Sequence, residues 1–258
     1  MSGPIAGNVP HLRDDECQVW WATLAHRAPW QADLFDQAER RRLGRYLRPA
    51  DRDRFTVGVA LTRLVLGAQL GIPPDRVPID RRCARCGGAH GRPQLAEAAE
   101  LDFSLSHSGA VIVLAVARSR AGDRGPRAVG IDVELVAPAV ADEAPVDIVL
   151  SQAEQIAFSR LDAAAQPEAF FRYWVRKEAV LKATGDGLAV PMTRLTVSGP
   201  DQPPRLAAWK GRPSFPRMVA LHDLHAEPGY AAALAIVGLD CAVSSHDASR
   251  LVGIPAAR

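Results

Sequence analysis

Between Pro167 and Thr184 the sequence constrains the chain most tightly. Pro167 suits a first helical turn, Gly185 is a natural C-terminal cap, and Phe170, Trp174, Glu178 and Lys182 recur every four residues, so they share one stripe of a helix. The stripe begins aromatic and turns ionic. Glu178 and Lys182 at i, i+4 would make an ordinary surface pair worth ~0.2–0.5 kcal/mol. The aromatic start argues instead for an inward-facing stripe, whose charges then need partners such as a metal or a phosphate. A fold built on this helix must supply an element for it to pack against.

The segment VGIDVEL, residues 129–135, offers a strand on which Asp132 and Glu134 emerge together while Val129, Ile131 and Val133 face the other way. Two converging carboxylates suit a hard cation such as Mg²⁺, which takes oxygen ligands at ~2.0–2.1 Å. The strand alone is equally compatible with a polar face turned to water. Upstream, LDFSLSHSG and AVIVLAVA read as a hairpin broken at Ser108-Gly109. Phe103 and Leu105 pack inward there, and Ser106, His107 and Ser108 gather at the strand end as donors for phosphate oxygens. A lone histidine in such a place is also an ordinary structural hydrogen-bonder. The run RRRLGRYLRPADRDRF concentrates seven arginines, from Arg40 to Arg54, as an anion-attracting patch, although Asp51 and Asp53 are interleaved and much of any such run is a solvated helix face.

The remaining pattern places a strand at 19–23 and a helix over 33–47 with Leu34, Phe35, Leu43, Tyr46 and Leu47 on its apolar face. A second helix follows over 51–70, and residues 118–126 form a polar linker. Beyond it come a strand at 128–136, a helix at 151–161 with capping-box spacing of Ser151 and Glu154, and strands at 195–198, 218–222 and 230–237. The expected class is α+β: two similar lobes, 1–127 and 128–258, with an active site where they meet.

With 48% hydrophobic residues the chain can bury a sizeable core, and a net charge of +2 excludes bulk coating of a polyanion. No stretch approaches the ~20 apolar residues of a membrane span and the N-terminus lacks a secretion signal, so a cytoplasmic protein is expected. Four cysteines in a chain of this length imply reduced thiols. Of 31 basic residues only Lys177, Lys182 and Lys210 are lysine, a hint of sites that require a compact ammonium.

These segments, in this order, resemble the Sfp-type 4'-phosphopantetheinyl transferases, whose hallmarks are a GxD(V/I)E strand and a W-x-x-K-E-A-x-x-K helix ending near G-x-G-L. Here they read Gly130-Ile131-Asp132-Val133-Glu134, then Trp174 to Lys182, then Gly185-Asp186-Gly187-Leu188, with Phe103 to Ser108 as the upstream histidine motif. The resemblance covers roughly residues 40–190 and implies a pseudo-twofold arrangement of the two lobes. It makes Asp132, Glu134 and Glu178 the acids that hold Mg²⁺ against the coenzyme A pyrophosphate, and Lys182 the neutraliser of phosphate charge. Ser106 and His107 would contact the coenzyme's phosphates, Gly91-Arg92-Pro93 its adenine, and Arg45 and Arg54 its ribose 3'-phosphate.

The reaction so implied is attack by a serine hydroxyl of an apo acyl or peptidyl carrier protein on the β-phosphate of coenzyme A. It releases adenosine 3',5'-bisphosphate, with Glu178 as base and Asp132 and Lys182 beside it. A monomer is implied, with no nucleic acid or membrane partner. The pair Cys83 and Cys86 followed by His90 has the ligand types of half a zinc site, set below the reading as ordinary loop thiols because the sequence places no fourth ligand nearby. A zinc-stabilised nucleic-acid module and a coenzyme-binding regulator without chemistry are the competing classes. The first lacks a domain-wide basic excess, and the second need not keep the full set of acids and lysine.

Overall fold

The computed structural model of the chain describes residues 9–82, 87–88, 91–96, 100–119, 126–136 and 145–253. In chain order these form β1 (Glu16–Thr23), α1 (Gln37–Leu43), α2 (Pro49–Leu70), β2 (Ile79–Asp80), β3 (Gln94–Leu95), β4 (Leu101–Ser108), β5 (Val111–Arg118) and β6 (Ala128–Leu135). There follow α3 (Val146–Val149), α4 (Gln152–Phe158), α5 (Gln166–Thr184), β7 (Leu195–Val197), β8 (Leu206–Trp209), β9 (Val219–Asp223), β10 (Tyr230–Val237), β11 (Ala242–Asp247) and α6 (Ser249–Val252). The architecture is mixed α+β. Two compact units emerge, one of residues 1–119 with 242–258, the other of residues 120–241.

In the first unit a four-stranded sheet runs β11-β1-β5-β4, with β11 parallel to β1 and the other pairs antiparallel. The 22-residue α2 packs on it through Val57, Leu61, Leu64 and Val65 against Phe103, Ile112, Leu114 and Trp20. Gly58 lets the helix come close, since a Cβ there would stand 3.1 Å from the Leu105 side chain. Gly71, at φ +67°, ends α2 in the left-handed conformation that glycine adopts without a Cβ clash.

In the second unit β6, β10 and β9 form an antiparallel sheet in the order β6-β10-β9, and β7 and β8 form a separate pair. The 19-residue α5 lies against this sheet and is buried on most of its circumference, from Ala169, Phe170 and Phe171 to Leu181 and Ala183. Such a helix belongs inside a unit rather than on its surface.

Several expected elements differ. The helix expected over 33–47 is two pieces, a 3₁₀ segment Pro29–Leu34 and α1, because Asp36 forms a capping box with Glu39 and starts a fresh helix. Leu47 lies beyond α1 and is 95% exposed instead of sharing an apolar face. The division at 127/128 puts 242–258 in the wrong unit, since β11 returns to add a strand beside β1, and its alternating polar sequence AVSSHD gives little strand signal. Of the expected linker 118–126, residues 120–125 lie outside the described residues.

A carboxylate and ammonium cluster between a strand and a helix

The second unit brings the strand motif and the helix motif together, and glycine permits it. A Cβ on Gly130 would lie 2.1 Å from the Ala179 carbonyl oxygen and 2.3 Å from the Ala183 nitrogen, so β6 and α5 touch backbone to backbone at a distance only hydrogen at Cα allows. Alternation along β6 sends Asp132 and Glu134 to the same side as Gly130, facing the helix. Val129, Ile131 and Val133, each fully buried, take the opposite side. A water-facing polar side is thereby excluded for Asp132, which is 2% exposed. On the helix, Trp174, Glu178 and Lys182 are half-buried, and Trp174 is anchored by Phe170 with ring centroids 6.1 Å apart.

Lys182 Nζ donates to Asp132 Oδ1 at 2.6 Å, joining helix to strand. Burial pushes the Glu178 carboxyl above the ordinary carboxylate range; the charges of Asp132 and Glu134 push it further, and Lys182 pulls it back. The three acids therefore sense one another across the strand–helix contact, and with one ammonium their summed formal charge is negative. In donor chemistry, three hard carboxylates, the set fits Mg²⁺. Among the described residues no group of three or more His, Cys, Asp or Glu is drawn together as a ready-made cation cluster, and the expected metal role of Asp132, Glu134 and Glu178 rests on the donor chemistry of the set. The short Asp132 contact goes to Lys182.

Behind this stripe α5 is pinned by charges that sequence reading did not place. Lys177 Nζ, fully buried, donates to Glu154 Oε2 at 2.5 Å, to Val149 O at 2.7 Å and to Met192 O at 3.2 Å. Glu154 also receives the Ser151 and Val197 backbone N–H groups at 2.7 Å each. The expected capping box thus doubles as a counter-ion, and the scarce lysine fills a slot where three acceptors converge on one compact cation. Arg176, equally buried, forks onto Asp223 at 2.8 and 2.6 Å and onto the Ser198 and Gly199 carbonyls at 2.8 Å each. Lys177 was legible as a motif lysine and Arg176 only as helix; their partners lie 15 to 47 residues away in sequence, on other helices, a strand and loops. Asp186, inside the G-x-G-L turn, is gripped bidentately by Arg212 at 2.6 and 2.9 Å, and that guanidinium lies 4.6 Å over the Trp209 ring.

The other candidates lie in the first unit. Ser106 is buried and His107 exposed, at adjacent positions of β4 that alternation sends to opposite faces, so they do not cluster as expected. Arg54 donates to Gly109 O at 2.7 Å and to Asp51 Oδ1 at 2.6 Å, holding the β4–β5 turn. Arg92 donates to both Asp102 oxygens at 2.8 Å and to Phe103 O at 2.7 Å, while the Gly91 N–H meets Arg81 O at 2.7 Å; these bonds seat the segment of Gly91, Arg92 and Pro93 beside β4. Arg45 lines a cavity of about 510 Å³ together with Arg41, Arg42 and Arg81, whose charges are partly offset by Asp36, Glu39 and Asp80 on the same wall. Cys83, Cys86 and His90 lie outside the described residues.

Comparison with known proteins accords with the motifs. A family model described as the 4'-phosphopantetheinyl transferase superfamily matches residues 128–235, and one described as 4'-phosphopantetheinyl transferase, N-terminal, matches residues 20–119. The 4'-phosphopantetheinyl transferase HetI of Nostoc sp. is 33% identical over 184 residues, 69% of this chain and 72% of that protein. The 4'-phosphopantetheinyl transferase of Bacillus subtilis is 26% identical over 159 residues, 62% of this chain and 64% of its own length. Among solved structures, a holo-(acyl-carrier-protein) synthase from Bacillus anthracis in complex with CoA (3',5'-ADP) gives a TM-score of 0.35 at 20% identity, covering 43% of this chain and 95% of that one. With two family models covering the strand, helix and hairpin motifs and a relative one-third identical across more than two-thirds of each chain, the protein belongs to the 4'-phosphopantetheinyl transferase superfamily.

Proposed function

We propose that the protein transfers the 4'-phosphopantetheine arm of coenzyme A to a serine of an apo acyl or peptidyl carrier protein, releasing adenosine 3',5'-bisphosphate. The observation that carries the reading is the glycine-permitted contact of β6 with α5, which sets Asp132 and Glu134 against Glu178 and Lys182. The serine oxygen forms a bond to the β-phosphorus, the bridging P–O bond to the adenosine bisphosphate breaks, and the leaving group departs on that oxygen. Glu178 accepts the serine proton, being the carboxylate that the helix stripe sets beside Asp132 and Lys182. Lys182 supplies positive charge to the pyrophosphate. Asp132, Glu134 and Glu178 would hold Mg²⁺, whose charge would offset that developing on the leaving phosphate.

The phosphate and adenine contacts proposed for the first unit are Ser106, His107, Gly91, Arg92 and Pro93, with Arg45 and Arg54 for the 3'-phosphate. Of the two, Arg54 already serves the β4–β5 turn, whereas Arg45 lines a cavity with three further arginines and three acids. Among the described residues no helix is long and apolar enough to cross a membrane, and we propose a cytoplasmic monomer. Incubating an apo acyl carrier and an apo peptidyl carrier with the protein, coenzyme A and Mg²⁺, followed by intact mass spectrometry, tests the function. A gain of one phosphopantetheinyl arm, lost with EDTA and in Glu178→Gln, is expected. No gain on either carrier would refute the reading for those carrier classes.

A further inference from the structure

Asp132 cannot easily turn away from the helix, and Lys182 can. The aspartate sits mid-strand, paired in register with Ala233 of β10, two residues from Gly130, which is locked against the backbone of α5; its side chain is 3% exposed. Lys182 reaches it from the last turn of α5 on a four-carbon stem and is 27% exposed. The bond between them, 2.6 Å from Nζ to Oδ1, is of the short charge-assisted kind. A divalent cation bound to Asp132 would take a carboxylate oxygen at ~2.0–2.1 Å, and an ammonium held 2.6 Å from the same carboxylate weakens that binding by repulsion and by drawing on the same negative charge.

We infer that Lys182 and the divalent cation compete for Asp132, so that the metal loads fully only when a pyrophosphate draws the ammonium off the carboxylate. This rests on the proposed function. Lys182 then has two stations. On Asp132 it balances the acid cluster with the monovalent charge available in the chain itself; on the coenzyme's phosphates it leaves three carboxylates to the metal. Linkage makes the effect reciprocal: coenzyme tightens metal binding by the factor by which metal tightens coenzyme binding.

The test is direct binding of Mn²⁺, followed by loss of the free-ion paramagnetic resonance signal, to the full chain without nucleotide and with saturating coenzyme A, corrected for Mn²⁺ bound by coenzyme A alone. Wild type is expected to bind Mn²⁺ about tenfold or more tightly with coenzyme A than without, within the usual range of coupling between sites. Lys182→Met, which keeps the stem and removes the charge, is expected to bind Mn²⁺ about tenfold more tightly than wild type in the absence of coenzyme, with most of the coenzyme-dependent gain gone. Asp132→Asn should abolish binding in both backgrounds. Equal nucleotide-free affinity in wild type and Lys182→Met would overturn the competition while leaving the metal site intact. Failure of wild type to bind Mn²⁺ even with coenzyme A would instead sink the metal-dependent reading itself. Coincident thermal melts of the two proteins guard against misfolding, and the comparison of wild type with Lys182→Met separates release of the lysine from ligation of the metal by the pyrophosphate itself.

Discussion

Gly130→Ala is the sharpest perturbation of the proposed site, because it adds one methyl group and touches no charge. The new Cβ would stand 2.1 Å from the Ala179 oxygen, 2.3 Å from the Ala183 nitrogen and 2.9 Å from its Cα, whereas ordinary contact begins near 3.4 Å. Strand and helix must separate by about 1 Å, and both neighbours are backbone, so no side chain can swing aside. Overpacking of this kind costs ~1–3 kcal/mol, and rigid backbone on both sides places Gly130→Ala at or above the upper figure. A separation of about 1 Å also draws Asp132 and Glu134 back from the helix stripe that carries Glu178. Misplacement on that scale costs roughly 10²-fold in turnover. Urea unfolding should show a midpoint lowered by about 1 M, given a typical slope of a few kcal/mol per molar. Transfer, assayed by carrier mass, should slow in proportion to the geometric loss. A variant with an unshifted midpoint and a rate within threefold of wild type would refute the claim that the backbone contact builds the site.

Three further outcomes follow from named contacts. Glu178→Gln, nearly isosteric, should lower transfer by about 10²-fold or more while coenzyme A binding, measured by calorimetry, survives at least in part; unchanged transfer would remove Glu178 as the base. Lys177→Met strands Glu154 as a buried carboxylate and should destabilise by about 3–5 kcal/mol in urea, because Lys177 and Glu154 are 0% and 2% exposed and either alone is an uncompensated charge. The paired change Lys177→Met with Glu154→Gln should recover much of that loss, and a single variant as stable as wild type would contradict the pairing. His246, stacked on Trp20 at 4.6 Å, has its pKa lowered from 6.5 by burial, so the folded state binds fewer protons than the unfolded. Stability from this residue is complete above about 6.5 and declines as pH falls through that value toward the lower folded pKa. His246→Gln should therefore lose less thermal stability than wild type between pH 7.5 and 5.5; parallel melting curves for the two would exclude the effect.

The residues that do the proposed chemistry were legible because their spacing is local. Period two along 129–135 put Asp132 and Glu134 on one side, and period four along α5 put Trp174, Glu178 and Lys182 on one stripe; both periodicities survive folding since backbone geometry enforces them. The capping box at Ser151 and the glycine stops after α2 and α5 were readable for the same reason. Whether the two faces meet is not a local property. The sequence carried Gly130 as a motif letter, and only the approach of α5 to β6 explains why no Cβ fits there. Lys177 and Arg176 turned out to be buried tethers, because their acceptors are carbonyls and acids of other elements, among them Glu154, Asp223 and Ser198, whose position nothing in the helix pattern encodes. The same limit hid β11, whose polar alternation becomes a strand only because the edge of β1 is there to pair with it. The sequence by itself therefore determined the donors and their periodicity. Tertiary structure decided burial, partnership and the choice of Lys182 as Asp132's partner, since each depends on which backbone comes close to which.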